Sequence, residues 1–430
     1  MDDLILAGPR PLRGTLRLPG DKSISHRALL FGAIADGRSV IRNLGTGEDV
    51  ARTRAAVEAM GVRARHTPSG EVRVNGAGWE GLREPGHVVD CGNSGTTARV
   101  LLGLLAGRPF HAVLTGDASL SRRPMGRVVE PLREMGAAVD GRDGGTLLPI
   151  AVRGRALTGK RHQLPVASAQ VKTALVLAGL QAEGTTEVTE PAASRDHTER
   201  MLAALGAPVE VEGVTVRVRA GAPGALDLDV PGDPSSAAFH VVAALVAPES
   251  EIVIEDVALN PTRAAFLDVL ARMGGEIEVE VTGERCGEPV GRVTARSSVL
   301  EATTVGGDEI PTVIDEIPAL AVAAAFASGS TEIRDVAELR VKETDRIGAI
   351  EQELAQLGVA VVTSADGLTI EGGRPRAGQF KSHGDHRIAM ALAVAANACV
   401  GESRVQGWHA VGSSYPGFAA DLAALATTDP

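Results

Sequence analysis

Apolar runs rich in Ala, Leu and Val recur along the chain, and each run follows a short polar cluster. After each run come a β-branched segment, a second set of apolar positions at helical spacing, and another strand-like stretch. This pattern predicts repeated units that combine two helices with several strands. About six units occur at a spacing of roughly 65–80 residues, which is too long and too rich in strands for a solenoid of helical pairs.

The units fall into two groups of three. Their polar clusters begin at Ser23, Asn93, Ser168, Asp233, Asp315 and Gly384. A Pro/Gly break at 230–233 separates the third unit from the fourth, and the turn signal Pro19-Gly20 allows the first strand to join the C-terminal half. We therefore predict two α/β domains, residues 21–231 and residues 1–20 plus 232–430, with the active site in the cleft between them.

The composition restricts the class of protein. Hydrophobic residues make up 44% of the chain but aromatic residues only 2%, so the core must be built from small aliphatic side chains. The net charge of −11 argues against nucleic-acid and anionic-membrane partners. Three cysteines without metal spacing, no signal-peptide pattern and apolar runs too short for a bilayer predict a cytoplasmic protein.

The stretch Leu18–Gly37 places basic residues at a helix start. Asp21, Ser23 and Ser25 are alternative N-caps for the apolar helix that follows, and Lys22 and Arg27 flank its first turn. A lysine, a hydroxyl, an arginine and unpaired N–H groups at a helix N-terminus are typical of a phosphate site. The alternative is an ordinary capped helix with a solvated basic start.

Three further clusters of the N-terminal half fit the same interpretation. Asn93-Ser94-Gly95-Thr96-Thr97 precedes Arg99, Arg122-Arg123 precede a proline, and Ser168-Ala169-Gln170 with Lys172 opens the third unit, whose second helix follows Arg195. Glycine allows a ligand to approach the backbone, and arginine binds phosphate bidentately. The alternatives are a plain capped turn, solvated arginines, and an ion pair between Arg195 and Asp196 or Glu199.

The C-terminal half supplies carboxylates. Asp315-Glu316 precede a helix so apolar that it must be buried, so a carboxylate there either caps the helix or acts as a general base. The segment 340–346 places Lys342 and Arg346 on one side of a helix with Glu343 beside them, or forms a solvated helix face. His383 and His386 with Asp385 lack the further ligands of a metal site.

Taken in order, these motifs resemble the 3-phosphoshikimate 1-carboxyvinyltransferase (EPSP synthase) family of enolpyruvyl transferases. The motifs that carry the resemblance span nearly the whole chain: LPGDKSISHR at 18–27, GNSGT at 92–96, Arg123-Pro124, Ser168-Ala-Gln170, LRVKETDR at 339–346 and GDHR at 384–387. The resemblance implies two inside-out α/β-prism domains, each of three βαβαββ-type units. It also implies transfer of the enolpyruvyl group of phosphoenolpyruvate to the 5-hydroxyl of shikimate 3-phosphate in aromatic amino acid biosynthesis, with release of phosphate.

The resemblance also assigns residue roles. Lys22, Asp315 and Glu343 would be catalytic, with Asp315 taking the hydroxyl proton and Glu343 protonating the methylene carbon. Shikimate 3-phosphate would contact Lys22, Ser23, Arg27, Ser168, Ala169, Gln170, Arg195, Asp315 and Lys342. Phosphoenolpyruvate would contact Lys22, Asn93, Gly95, Arg123, Gln170, Arg346 and Arg387. No metal or organic cofactor is expected. The protein is expected to be a monomer.

Two features depart from the pattern of the family that this chain resembles. Ser168-Ala169 in place of two serines, together with Arg195, resembles one branch of the family rather than another, and the second departure is a lysine near the C-terminus. Many members carry a C-terminal lysine that is replaced here within Gly412–Pro416, and Gly95 is retained where some glyphosate-insensitive relatives have alanine. We therefore expect glyphosate to compete with phosphoenolpyruvate. The rival functions are enolpyruvyl transfer to UDP-N-acetylglucosamine, which typically uses a reactive cysteine absent from 116–123, and a non-catalytic repeat protein that binds anions.

Overall fold

A computed structural model of the chain describes residues 3–426. Two compact units are present. The first unit comprises Gly20–Val230 and Glu284–Glu288. The second unit comprises the described residues of Met1–Pro19, Pro231–Gly283 and Pro289–Pro430. Each unit is therefore built from segments that are distant in sequence.

The elements are numbered in chain order. Strands β1 (Asp3–Gly8) and β2 (Arg13–Arg17) come first and belong to the second unit. The first unit has the helices α1 (Lys22–Ile34), α2 (Glu48–Ala59), α3 (Gly78–Gly81), α4 (Gly95–Ala106), α5 (Gly126–Glu134), α6 (Arg142–Gly145), α7 (Ala169–Gly179) and α8 (His197–Ala204). Its strands are β3 (Asp36–Arg42), β4 (Arg63–His66), β5 (Val72–Ala77), β6 (Val89–Asp90), β7 (His111–Thr115), β8 (Ala138–Gly141), β9 (Leu147–Arg153), β10 (Leu157–Thr158), β11 (Arg161–Gln163), β12 (Ala182–Glu183), β13 (Thr185–Thr189), β14 (Val209–Glu212), β15 (Thr215–Arg219) and β16 (Asp227–Asp229).

The remaining elements of the second unit follow. Its helices are α9 (Pro234–Val246), α10 (Pro261–Ala264), α11 (Phe266–Arg272), α12 (Ile310–Val313), α13 (Ile317–Phe326), α14 (Arg346–Gln356), α15 (His386–Ala398) and α16 (Phe418–Leu425). Its strands are β17 (Glu251–Ala258), β18 (Glu276–Arg285), β19 (Glu288–Arg296), β20 (Thr304–Val305), β21 (Ser330–Ile333), β22 (Ala360–Thr363), β23 (Leu368–Glu371), β24 (Gln379–Lys381) and β25 (Gly401–Gln406). Short 3-10 helices occupy Leu120–Arg122, Gly307–Glu309, Ala337–Val341 and Trp408–Ser413.

Each unit carries three mixed sheets of similar construction. Their strand orders are β16-β3-β5-β4, β6-β7-β9-β8 and β11-β13-β15-β14 in the first unit, and β18-β19-β17-β2, β20-β21-β23-β22 and β1-β25-β24 in the second. In every one a parallel pair is continued by antiparallel strands; β3, for example, is parallel to β16 and antiparallel to β5. A two-stranded sheet, β10-β12, completes the first unit.

The helices that open the six sequence units are buried almost all round. In the first unit these are α1, α4 and α7, and in the second α9, α13 and α15. Strands such as β9 and β15 instead alternate buried positions with more exposed ones, so one face of each of these strands is solvated. The helices therefore form the interior of each unit. Their small side chains permit close packing: a Cβ on Gly103 of α4 would lie 2.0 Å from the carbonyl oxygen of Ala174 on α7.

Membrane insertion has no candidate segment in the described part of the chain. None of the helices within residues 3–426 is long and apolar enough to cross a bilayer. The longest of them, such as α1, α9 and α15, have 13 residues each.

Candidate active site

The buried helices of the first unit bring their N-terminal ends together. Among the candidate caps of α1 it is Asp21 that caps the helix, accepting from the Ile24 N–H at 2.7 Å, while Ser94 caps α4. Gln170 in the first turn of α7 donates to Thr96 Oγ1 of α4 at 2.9 Å. The N–H groups at these helix ends form a positive environment suited to an anion.

Arg27 is a buried and fixed cation of this cluster. Its side chain donates to Thr173 Oγ1 of α7 at 2.8 Å, to Thr198 Oγ1 of α8 at 2.7 Å and to the Ser23 carbonyl at 2.9 Å. Burial lowers the pKa of Arg27 to about 10, so the guanidinium is still charged at neutral pH. Its position joins the starts of α1, α7 and α8.

Lys22 lies half-buried at the first position of α1. Its Nζ is 3.0 Å from Asp49 Oδ2, and Asp49 is in the first turn of α2. Asp49 has no separate signal in the sequence, because an acidic residue at a helix start is usually explained by the helix dipole. The structure shows that this carboxylate also holds the predicted catalytic lysine.

The predicted phosphoenolpyruvate residues of the first unit are also close to one another. Arg123 is 8% exposed and donates to Asn93 Oδ1 at 2.6 Å, whereas the adjacent Arg122 is exposed. Gly95 begins α4, and a Cβ on it would lie 3.5 Å from Arg123 Nη1. Of the two neighbouring arginines, only Arg123 therefore joins the cluster.

The third cluster combines Ser168, Ala169 and Gln170 with Arg195. Ser168 is the N-cap residue of α7, but its side chain makes no capping hydrogen bond. Arg99 donates to Gln170 Oε1 at 2.7 Å, which fixes the orientation of that amide. Arg195 is near enough to Arg27 for its charge to help lower the pKa of Arg27, after burial and against nearby carboxylates.

In the second unit a buried arginine joins the candidate acid and base. Arg346 is 1% exposed and donates to Asp385 Oδ2 at 2.8 Å, to Glu343 Oε2 at 2.8 Å and to Asp315 Oδ1 at 3.4 Å. Burial opposes the charged form, but these three carboxylates outweigh it and hold the pKa of Arg346 above its usual value. Asp315 and Glu343, 28 positions apart in sequence, thus share one guanidinium.

Asp315 has two further cationic neighbours. Lys342 Nζ lies 3.5 Å from Asp315 Oδ1, and Arg387 donates to the Asp315 carbonyl oxygen at 2.6 Å. Arg387 is also 3.4 Å from Glu316 Oε1. Four carboxylates, those of Asp315, Glu316, Glu343 and Asp385, therefore alternate with three cations. Such a network orients an acid and a base because each charge is held by an opposite one.

The helix expected over 340–346 begins later than the spacing suggested. A 3-10 helix ends at Val341, and α14 starts only at Arg346, capped by Asp345. Lys342 and Glu343 therefore lie in the connecting segment rather than on a shared helix face. Lys342 nevertheless lies near Asp315, and Glu343 accepts from Arg346.

A metal site has no support among residues 3–426, where no group of three or more His, Cys, Asp or Glu side chains is placed to hold an ion. His383 instead lies 2.6 Å from Glu353.

The carboxylate pair before α13 has its two members in different positions. The N-cap position of α13 belongs to Glu316, not to Asp315.

Several buried partners of the charged network in the second unit could not be predicted from the sequence. Ser235 contacts Glu316 and accepts from Arg263 at 2.6 Å, and Arg263 also lies 3.1 Å from Asp233. Arg263 is 1% exposed. Its sequence neighbours give no signal for this role, because the contact depends on the packing of α10 against α9.

Comparison with known proteins gives one family. The sequence model of EPSP synthase (3-phosphoshikimate 1-carboxyvinyltransferase) matches residues 6–422. The 3-phosphoshikimate 1-carboxyvinyltransferase of Synechococcus sp. (strain JA-3-3Ab) is 54% identical over 99% of this chain and 97% of its own length. The protein of the same name from Geobacillus kaustophilus (strain HTA426) is 51% identical over 96% of this chain and 98% of its own.

Solved structures agree on the fold. EPSP synthase from Acinetobacter baumannii superposes with a TM-score of 0.88 at 40% identity, covering 99% of this chain and 98% of that one. The enolpyruvyl transferase NikO from Streptomyces tendae has a TM-score of 0.78 at 20% identity over the full length of both, and shows the fold alone. The predicted mixed α/β, two-domain enolpyruvyl transferase fold is confirmed. The chain belongs to the EPSP synthase (3-phosphoshikimate 1-carboxyvinyltransferase) family.

Proposed function

We propose that this chain transfers the enolpyruvyl group of phosphoenolpyruvate to the 5-hydroxyl of shikimate 3-phosphate and releases phosphate. The family match over residues 6–422 and the relatives above 50% identity support this reaction. The structural observation that carries it is the arrangement at Arg346, which holds Asp315 and Glu343 at one guanidinium. The reaction belongs to the biosynthesis of aromatic amino acids.

Shikimate 3-phosphate is assigned mainly to the clusters at α1, α7 and α8. Arg27 and Arg195 supply positive charge for its phosphate, and Ser168 and Gln170 supply neutral hydrogen-bonding groups for its carboxylate and hydroxyls. The remaining contacts proposed for this substrate are Lys22, Ser23, Ala169, Asp315 and Lys342. Support comes from the placement of Ser168 at the N-terminus of α7, with its side chain not used for capping.

Phosphoenolpyruvate is assigned to residues that include Arg123 and Gly95 in the first unit. Arg346 and Arg387 are its proposed cations from the second unit. Lys22, Asn93 and Gln170 complete the proposed set. Each arginine is itself held by a carboxylate or an amide, so little rotamer entropy remains to be lost on binding.

The proposed chemistry needs one base and one acid. Glu343 protonates the methylene carbon of phosphoenolpyruvate while the 5-hydroxyl oxygen adds to the adjacent carbon and Asp315 takes the hydroxyl proton. The tetrahedral intermediate then loses phosphate, assisted by the charge of Lys22, and a proton leaves the methyl group to restore the double bond. Each positioned acid or base contributes about 10²–10⁴-fold. Orientation and charge stabilisation supply the rest.

Transfer to UDP-N-acetylglucosamine is the second candidate, and the cysteines argue against it. The segment 116–123 contains no cysteine, and Cys91 is fully buried, with burial raising the pKa of its thiol to about 12. A thiol in that state is a poor nucleophile and a poor acid.

The third candidate is a non-catalytic protein that only binds anions. Such a protein would tolerate loss of Asp315 and Glu343, whereas an enzyme would not.

The test is phosphate release from phosphoenolpyruvate by the purified protein, with shikimate 3-phosphate or UDP-N-acetylglucosamine as the acceptor. We expect release with shikimate 3-phosphate only, and release with the sugar nucleotide only would overturn the proposal. Asp315→Asn serves as the inactive comparison. Cytoplasmic location and a monomeric state remain predictions.

A further inference from the structure

A buried carboxylate in the first unit connects two of the proposed substrate-binding segments. Glu190 follows β13 and is 3% exposed. Its Oε1 accepts from the Ser168 N–H at 2.7 Å, and both its oxygens lie 2.8 Å from the Ser194 hydroxyl. Ser168 is the N-cap residue of α7, and Ser194 directly precedes Arg195 in the segment that leads into α8. One side chain therefore sets the relative position of these two segments.

The charge of this carboxylate is compensated inside the protein. Lys172 Nζ lies 2.6 Å from Glu190 Oε2 and 2.7 Å from Glu199 Oε1, and all three side chains are at most 4% exposed. Burial opposes the charged form of Lys172, but the two carboxylates outweigh it and raise its pKa. Glu199 in turn acts on Arg27, where its charge favours the protonated guanidinium. The lysine is therefore committed to protein partners rather than to substrate.

An uncompensated carboxylate at this place would work against an anion site. Glu190 accepts from the N–H of Ser168, the N-cap residue of α7, and the dipole of that helix favours negative charge at this end. Without Lys172 its charge would oppose a bound phosphate. With Lys172 it can accept a main-chain N–H and a hydroxyl while adding little net negative charge. Replacement by an apolar residue would leave both donors without this acceptor in the interior and would remove one of the two carboxylates that pair with Lys172.

We propose that Glu190 is a positioning residue for shikimate 3-phosphate, acting through Ser168 and Ser194, with Lys172 as its charge partner. This inference rests on the proposed function, because it takes the Ser168 and Arg195 segments as the shikimate 3-phosphate site. Glu190 itself does not contact the substrate. Its effect should therefore be seen in the binding of one substrate rather than in the chemical step.

The experiment compares Glu190→Gln, Glu190→Asp and the control Glu187→Gln. Gln removes the charge; Asp keeps the charge but withdraws the oxygens by one methylene group. Glu187 lies on β13, and its ion pair with Arg217 is more exposed than the pair of Glu190 with Lys172. Calorimetric titration gives the Kd for shikimate 3-phosphate, steady-state kinetics give both KM values and kcat, and thermal unfolding monitors folding.

We expect both Glu190 variants to bind shikimate 3-phosphate at least tenfold more weakly, which corresponds to about 1.4 kcal/mol. The KM for phosphoenolpyruvate should stay within twofold, and Glu187→Gln should match the wild type. A loss of kcat with both KM values unchanged would indicate a purely structural role and overturn the inference, as would wild-type binding by Glu190→Asp. If the wild type itself does not bind shikimate 3-phosphate, the proposed function fails instead.

Discussion

A single methyl group at Gly95 tests the proposed phosphoenolpyruvate site. Gly95 is the first residue of α4, and a Cβ there would lie 2.8 Å from Arg99 Nη1 and 3.6 Å from Leu120 Cδ1. The backbone at this position is helical, so alanine introduces no conformational strain. The end of the Arg99 side chain must move, and Arg123 is the next cation beside the new methyl group.

The size of the effect follows from the contact that is lost. Arg99 Nη1 donates to Gln170 Oε1 at 2.7 Å, and a hydrogen bond from a charged group contributes about 1.5–3 kcal/mol. Gln170 is assigned to substrate binding, so a free energy of that size spent on holding its amide in place again corresponds to roughly 10- to 150-fold in affinity. We therefore expect Gly95→Ala to raise the KM for phosphoenolpyruvate by about tenfold or more. The KM for shikimate 3-phosphate, to which Gln170 is also assigned, should rise by a smaller factor, because the new methyl group itself lies beside Arg123, a residue assigned to phosphoenolpyruvate alone.

Steady-state kinetics with glyphosate as a competitor provides the assay. In the wild type, glyphosate should compete with phosphoenolpyruvate, and the inhibition constant should rise in Gly95→Ala. The matched control is Gly126→Ala, also at the first position of a helix, where a Cβ would make only an ordinary 3.5 Å contact with Thr146. Unchanged KM and unchanged inhibition in Gly95→Ala, or no inhibition of the wild type, would refute the assignment of α4 to this substrate.

Three further predictions concern the chemistry, the packing and the pH dependence. Asp315→Asn and Glu343→Gln should each lower kcat by about 10²–10⁴-fold with small changes in KM, measured by phosphate release; activity within threefold of the wild type would exclude an acid–base role. Gly103→Ala should destabilise the protein by at least about 1–3 kcal/mol in urea unfolding, because its methyl group would overlap the backbone of α7; an unchanged midpoint would show that α4 and α7 are further apart than described. Burial lowers the pKa of His240 to about 3, so its neutral form is favoured on folding and stability falls as the pH drops below about 6.5, by about 2 kcal/mol at pH 5. His240→Gln should remove this part of the pH dependence, whereas the exposed control His111→Gln should retain it; equal slopes in both variants would contradict the assignment.

The repeat pattern and the helix starts were accessible from the sequence. The six apolar runs predicted as helices correspond to α1, α4, α7, α9, α13 and α15. They could be recognised because a helix buried on all sides is apolar throughout and needs a polar cap at its start. The mixed α/β enolpyruvyl transferase fold was implied by the family resemblance that the motifs at these starts carry.

The sequence did not distinguish ligand-binding charges from charges that bind other side chains. Lys172 lies two positions after Gln170 and would suit a phosphate equally well, but it is buried between Glu190 and Glu199. Those two carboxylates come from segments whose contact with α7 depends on the tertiary packing. Similarly, the i,i+4 spacing of Lys342 and Arg346 suggested a helix that does not extend to Lys342.

The competing N-caps of α1 illustrate the same limit. Asp21, Ser23 and Ser25 were equivalent by local preference, yet only Asp21 accepts the Ile24 N–H. Ser25 instead accepts from the Gly45 N–H at 2.9 Å, a contact made across 20 positions of the chain. Local rules therefore identify a helix start but do not decide which of several suitable side chains performs the capping.

The central claim is tested most directly by the identity of the products. Phosphorus NMR can follow purified wild-type protein with phosphoenolpyruvate and shikimate 3-phosphate, and mass spectrometry can then identify the acceptor product. The account predicts one inorganic phosphate per phosphoenolpyruvate consumed, together with an acceptor that keeps its own phosphate and gains an enolpyruvyl ether. Phosphate released without any modified acceptor, or an acceptor that loses its own phosphate, would contradict it.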